Sequence, residues 1–165
     1  MSATRRIVTA ALLAALLMVS KFALDGLPNI ELVSLLLILY TLEWPGLALP
    51  ALYTYVFLYG LMNGFGLWWL GQLYIWLPLV AAARLLRRWD HALLWAVVSG
   101  AFGLCYGALY AVSYAAMNGP AAGVAWWITG IPFDLLHGGG NFVVALALYR
   151  PLRAGFSAIR KRAGL

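Results

Sequence analysis

The chain has 165 residues, 65% of them hydrophobic and only 10% charged, with a net charge of +6. A soluble domain carries about a quarter charged residues, and a chain this apolar would leave large greasy patches facing water. A soluble globular protein is therefore excluded, and so is a nucleic-acid binder: the basic residues sit at the ends of apolar runs, where lipid headgroups are their expected partners. In lipid every backbone polar group must be paired internally, so spans are helices or a closed barrel. Continuous apolar runs such as Leu32 to Leu39 choose helices over the alternating strands of a barrel.

Turn-forming residues divide the chain into six predicted spans, near 7–24, 30–43, 47–62, 67–86, 91–117 and 122–149. The first follows Arg5-Arg6. Its apolar run, Ile7 to Leu24, exceeds the about 7–15 residues of a signal-peptide core and ends in no small-x-small cleavage site, so a retained helix is expected. Ala10, Ala11, Ala14 and Ala15 form two overlapping Ala-x-x-x-Ala pairs. Such a strip allows close helix approach, either by the protein's own helices or by another protein.

Asp25-Gly26-Leu27-Pro28-Asn29 ends the first span. The second carries Glu31, Ser34 and Thr41 on one face. Glu31, near the outer rim, suits either a ligand group or an ion pair with Lys21. The second and third spans are short against the about 20 residues needed to cross hydrocarbon. They form either two crossings or one re-entrant hairpin. Six crossings with both termini cytoplasmic put every basic residue except Lys21 on the inner side.

The third span ends at Asn63-Gly64-Phe65-Gly66, and the fourth opens with Trp68-Trp69. Trp69, Gln72 and Trp76 share a face. Interfacial aromatics explain the tryptophans, but an amide one turn deeper requires a partner. This face reads equally as interfacial belt and as pocket wall. Arg87-Arg88-Trp89-Asp90 closes the span. On the fifth, Gly103, Gly107 and Ala111 form a small-residue strip read as internal packing. Cys105 stands alone in an apolar stretch and is expected to be a buried, inert thiol.

The sixth span follows Asn118-Gly119-Pro120 and closes at Arg150-Pro151. Trp127, Gly130, Asp134, His137 and Asn141 recur at 3–4 spacing and share one face. Ionisable groups at membrane depth are costly and mark function by default. Asp134 and His137 lie one turn apart and can pair. The stripe is therefore a binding wall or an internal clasp, with Asn141 assigned to structure. Pro132 removes a backbone donor and loosens the preceding turn. The chain has no Gly-x-x-x-x-Gly-Lys phosphate loop and no Gly-x-Ser-x-Gly elbow. Its two histidines, His91 and His137, sit at opposite ends of helices, so no multi-histidine metal site and no cofactor are expected.

The alanine strip, the stretch Leu27-Pro28-Asn29-Ile30-Glu31-Leu32-Val33-Ser34, and the run from Trp126 through Ile131-Pro132-Phe133-Asp134-Leu135-Leu136-His137 to Asn141-Phe142 and Tyr149-Arg150-Pro151-Leu152 resemble the substrate-binding S components of energy-coupling factor transporters. The resemblance extends over nearly the whole chain. It implies one multi-pass domain in a bacterial-type cytoplasmic membrane that captures a vitamin or related micronutrient at its outer face. It also implies docking, through Ala10, Ala11, Ala14 and Ala15, on a shared transmembrane coupling subunit driven by two ABC ATPases. On that reading Glu31, Asn63, Trp69, Gln72, Trp127, Asp134 and His137 line an outward pocket, and the chain is not itself an enzyme. Two other readings stay open. One is a non-catalytic assembly subunit whose polar stripe only fastens helices. The other is an intramembrane enzyme using Asp134 and His137 as an acid–base pair.

Overall fold

The computed structural model describes residues 2–164, and among them it is all helix and no strand. Seven helices follow in order: α1 (Ala3–Ala23), α2 (Val33–Glu43), α3 (Ala48–Asn63), α4 (Leu67–Gln72), α5 (Leu77–Leu85), α6 (Ala92–Asn118) and α7 (Pro120–Arg162). α1, α6 and α7 are long and apolar enough to cross a membrane. Ile7, Leu12, Phe57, Leu61, Val97, Leu136 and Val143 all point outward. An apolar exterior and three helices of spanning length are compatible with a membrane location.

Local chemistry sets most of the boundaries. The Ser2 hydroxyl accepts the Arg5 N–H (3.3 Å) and caps α1. Gly119, at φ 89°, ends α6 and begins α7, and Pro120 then occupies the first helical position, where no N–H is needed. The predicted fourth span is broken. α4 gives way to turns over 73–76 before α5 begins, because Pro78 cannot supply the donor that a continuous helix requires. The sixth span does not close at Arg150-Pro151. α7 runs through both Pro132 and Pro151 for 43 residues.

The centre of the fold is α2. Val33 to Thr41 are buried without interruption, as befits a helix that is hydrophobic all round. α1, α3, α5, α6 and α7 all contact it. The Tyr40 hydroxyl donates to the Leu13 carbonyl of α1 (3.1 Å). Ala10 and Ala14 are buried in this arrangement, whereas Ala11 and Ala15 are exposed. Half of the predicted docking strip is therefore spent on internal packing. The expected packing role of Gly103 and Gly107 holds. A Cβ on Gly103 would lie 2.8 Å from the Gly138 backbone, so α6 and α7 meet almost main chain to main chain. Cys105, expected to be buried, is exposed on the outer face of α6.

Polar contacts fasten α7 along α2. Asn141 donates to the Ser34 hydroxyl (3.2 Å) and the Ser99 carbonyl (3.5 Å), which makes it the structural residue expected. At the far end Glu43, almost wholly buried, is paired with Arg153 and with Arg160 (2.7 Å). Phe156 lies between these arginines in sequence and packs edge-on against Tyr40 and Trp44, with centroids 5.7 Å from each. These contacts hold the helix beyond Pro151, whose lost hydrogen bond alone would favour a break. Arg6 and Arg84 donate to the Gly46 and Pro45 carbonyls at this same end (3.4 Å each). Arg6, Arg84, Arg153 and Arg160 thus gather around the C-terminus of α2, with Arg87 and Arg88 sharing a surface recess with Pro45.

Replacing both Arg153 and Arg160 by alanine strands the Glu43 carboxylate. The double variant is expected to lose roughly 3 kcal/mol of stability, read as a lower thermal unfolding midpoint in detergent. An unchanged midpoint would contradict this account of the clasp.

Candidate functional site

At the other end of α2 the bundle opens. Two lobes, of about 500 Å³ and about 260 Å³, share Asn29, Trp68, Tyr106, Tyr110 and His137 as common walls. The larger is in the size range of small-molecule sites. Asn29 roofs both lobes from the α1–α2 loop, where it takes the left-handed conformation (φ 57°) that asparagine tolerates.

Glu31 stands just ahead of α2. One carboxylate oxygen accepts the Ser34 N–H (2.9 Å), which satisfies a free donor of the first turn. The other lies 3.4 Å from His137 Nε2 on α7. Glu31 does not pair with Lys21. The Lys21 ammonium bonds Asp25 one turn along instead (3.1 Å), an i,i+4 contact closer to hand than the buried Glu31.

Asp134 and His137, one turn apart, do not pair with each other. Asp134 leans onto α6, where one carboxylate oxygen accepts the Gly107 N–H (2.9 Å). The absent side chain of Gly107 makes the seat, because a Cβ there would collide with the carboxylate. The second oxygen, Oδ2, is buried without a hydrogen-bond partner. The residue is only 7% exposed and forms part of the larger lobe's wall. An unpaired buried acceptor carries a desolvation cost.

Gln72 organises the aromatic wall. Its amide N–H groups donate to the hydroxyls of Tyr110 (2.7 Å) and Tyr106 (3.2 Å), and its carbonyl accepts the Trp76 indole N–H (2.6 Å). The Tyr110 hydroxyl donates in turn to the Trp68 carbonyl (2.9 Å). The Tyr106 ring packs edge-on to His137 with centroids 4.7 Å apart. Trp126 stacks on Tyr114 (4.0 Å, 17°) and closes the larger lobe.

Of the residues expected at the site, Glu31, Gln72, Asp134 and His137 come together. Asn63 does not join them. It is exposed at the end of α3, where its amide donates to the Tyr59 carbonyl (3.0 Å). Trp69 stands behind the wall. Its indole N–H is used on the Val56 carbonyl (2.9 Å) and its ring packs on Phe65. Trp127 lines neither lobe, although it is as exposed as Trp126, which does. The face of α7 that meets the cavity runs through Trp126, Thr129, Gly130, Phe133, Asp134 and His137, with Asp134 at its α6 edge. A stripe centred on Asp134 therefore passes through Trp127, whereas the cavity is lined by Trp126.

Tyr106 and Tyr110 were not anticipated. Their signal in the sequence is the four-residue spacing of Tyr106, Tyr110 and Tyr114 on α6, which alternates with the glycine strip. Among the described residues no three of His, Cys, Asp and Glu converge to hold a metal ion. The chain matches no family model, no curated protein and no solved structure. The reading of the site therefore rests on its geometry.

Gln72→Leu removes the acceptor of the buried Trp76 indole and both amide donors to the tyrosines. It is expected to destabilise the protein by roughly 2 kcal/mol, seen in thermal unfolding and in a shifted tryptophan emission. No change in either would mean that Gln72 does not order the wall.

Proposed function

We propose that this protein is a membrane-embedded capture subunit that binds a small vitamin-like molecule for import, working with a transmembrane coupling subunit and two ABC ATPases. The observation that carries the reading is the cavity itself. It opens at the end of the bundle away from the arginines, its walls are aromatic, and its few polar groups converge from the α1–α2 loop, α4, α6 and α7. Concave, mostly apolar sites with a few placed polar groups are the common form of small-molecule sites. Excess arginine at the opposite end supports a cytoplasmic location for that end and an outward-facing cavity in a bacterial-type cytoplasmic membrane.

The arrangement divides the polar stripe of α7 between two duties. Asn141 fastens helices, Asp134 faces the ligand, and His137 touches both Glu31 and the cavity. The coupling subunit, on this reading, meets α1 through Ala11 and Ala15, the half of the strip that remains exposed.

Two outcomes test the proposal. In a thermal-shift screen against a panel of vitamins and their precursors, at least one compound stabilises the wild type. Trp126→Ala weakens that compound roughly tenfold, while Trp127→Ala changes it by less than about twofold. A panel without effect, or equal losses in both variants, would count against the cavity as the capture site. In co-purification with a coupling subunit, Ala15→Trp blocks assembly and leaves the thermal shift intact. Assembly at wild-type level would remove α1 from the docking surface.

A further inference from the structure

Charge is distributed unevenly between the two ends of this protein. The chain is basic overall at +6, yet the ionisable groups buried around the cavity are the carboxylates of Glu31 and Asp134 and the imidazole of His137, which is turned to Glu31. Among the described residues Lys21 is the one lysine or arginine on either lobe's lining, and its ammonium is taken by Asp25. Glu31 has both oxygens engaged, by the Ser34 N–H and by His137. Asp134 has one oxygen on the Gly107 N–H and the other without a partner.

We infer that the captured molecule is a planar organic cation with N–H donors, an amidinium-like or aminated heterocyclic group seated on Asp134. The inference rests on the capture reading above and deepens it. A carboxylate in low dielectric with a vacant lone pair attracts a cation far more strongly than it would in water, and a charged N–H donor makes the stronger class of hydrogen bond. Trp68, Trp126, Tyr106, Tyr110 and Phe133 surround the same lobe. Aromatic faces attract cations, and tryptophan does so best. An anionic ligand meets the opposite situation, because the cavity offers it two carboxylates and no free guanidinium or ammonium group.

Three probes of nearly identical shape and different charge test this directly: benzamidinium, benzamide and benzoate. Binding of each to the wild-type protein in nanodiscs is measured by calorimetry or by ligand-observed magnetic resonance. Benzamidinium is expected to bind at least about tenfold more tightly than the other two. Asp134→Asn, which keeps the shape of the side chain, removes most of that preference while benzamide binding persists. The wild-type ratio decides the question alone should the variant fold poorly. Equal or tighter binding of benzamide or benzoate overturns the cation assignment and leaves capture intact. A preference that survives in Asp134→Asn overturns the role of Asp134. Failure of all three probes, with a protein that also responds to no compound in the vitamin panel, overturns the cation assignment and the capture reading together.

Discussion

Helix α2 is buried on every side and carries a carboxylate at each end, and both carboxylates are answered by one helix, α7. Glu31 meets His137, Ser34 meets Asn141, and Glu43 meets Arg153 and Arg160. Each contact is expensive to break, because the group left behind would be a buried charge or an unpaired dipole. The register of α7 against α2 is therefore fixed at three depths. A slide by one turn would misplace all three together. The rest of the bundle is packed around this pair, with α6 pressed onto α7 through glycines and α1 and α3 packed together at its flank.

The cavity is a consequence of that register. With His137 fixed beside Glu31, Asp134 falls one turn outward and opposite Gly107. Tyr106 falls beside His137 because α6 and α7 pack backbone to backbone at Gly103 and Gly138, and Tyr110 stands one turn further along the same wall. Gln72 then ties α4 to both tyrosines and links the short, broken fourth segment to the wall. The break between α4 and α5 is useful in this light: it aims Gln72 and Trp76 toward the same hydrogen-bond network. The two ends of the protein have opposite character. One end neutralises its carboxylates with arginine, and the other leaves one buried oxygen of Asp134 without a hydrogen-bond partner.

Much of the helical plan was legible in the sequence. Gly and Pro clusters at 26–28, 45–46, 64–66 and 119–120 lie where helices end, because those residues cannot sustain the pattern on either side. The sequence misled where tertiary contacts outweigh local preference. Pro151 looks like a terminus, but Phe156, Arg153 and Arg160 beyond it are drawn back onto α2. The fourth span, read as continuous over 67–86, breaks ahead of Pro78. The site was half visible. Charged and amide groups in apolar runs flagged Glu31, Gln72, Asp134 and His137, since such groups need a reason to be there. Partners were not visible: Glu31 and His137 are 106 residues apart, and periodicity on one helix says nothing about which residue on another it meets. The same limit explains the choice of Trp127 over Trp126. The apolar face of a helix has a width, and only the neighbouring α6 decides where on that width the cavity lies.

The central claim is that the space between Asn29, Trp68, Trp126 and Asp134 exists to hold a small molecule. Native mass spectrometry of the protein, gently purified from its host, tests this most directly. The account predicts one non-lipid small molecule bound at one per chain and lost on replacement of Trp126 by alanine. A wild-type protein that carries only lipid, from purifications mild enough to keep that lipid bound, would contradict it.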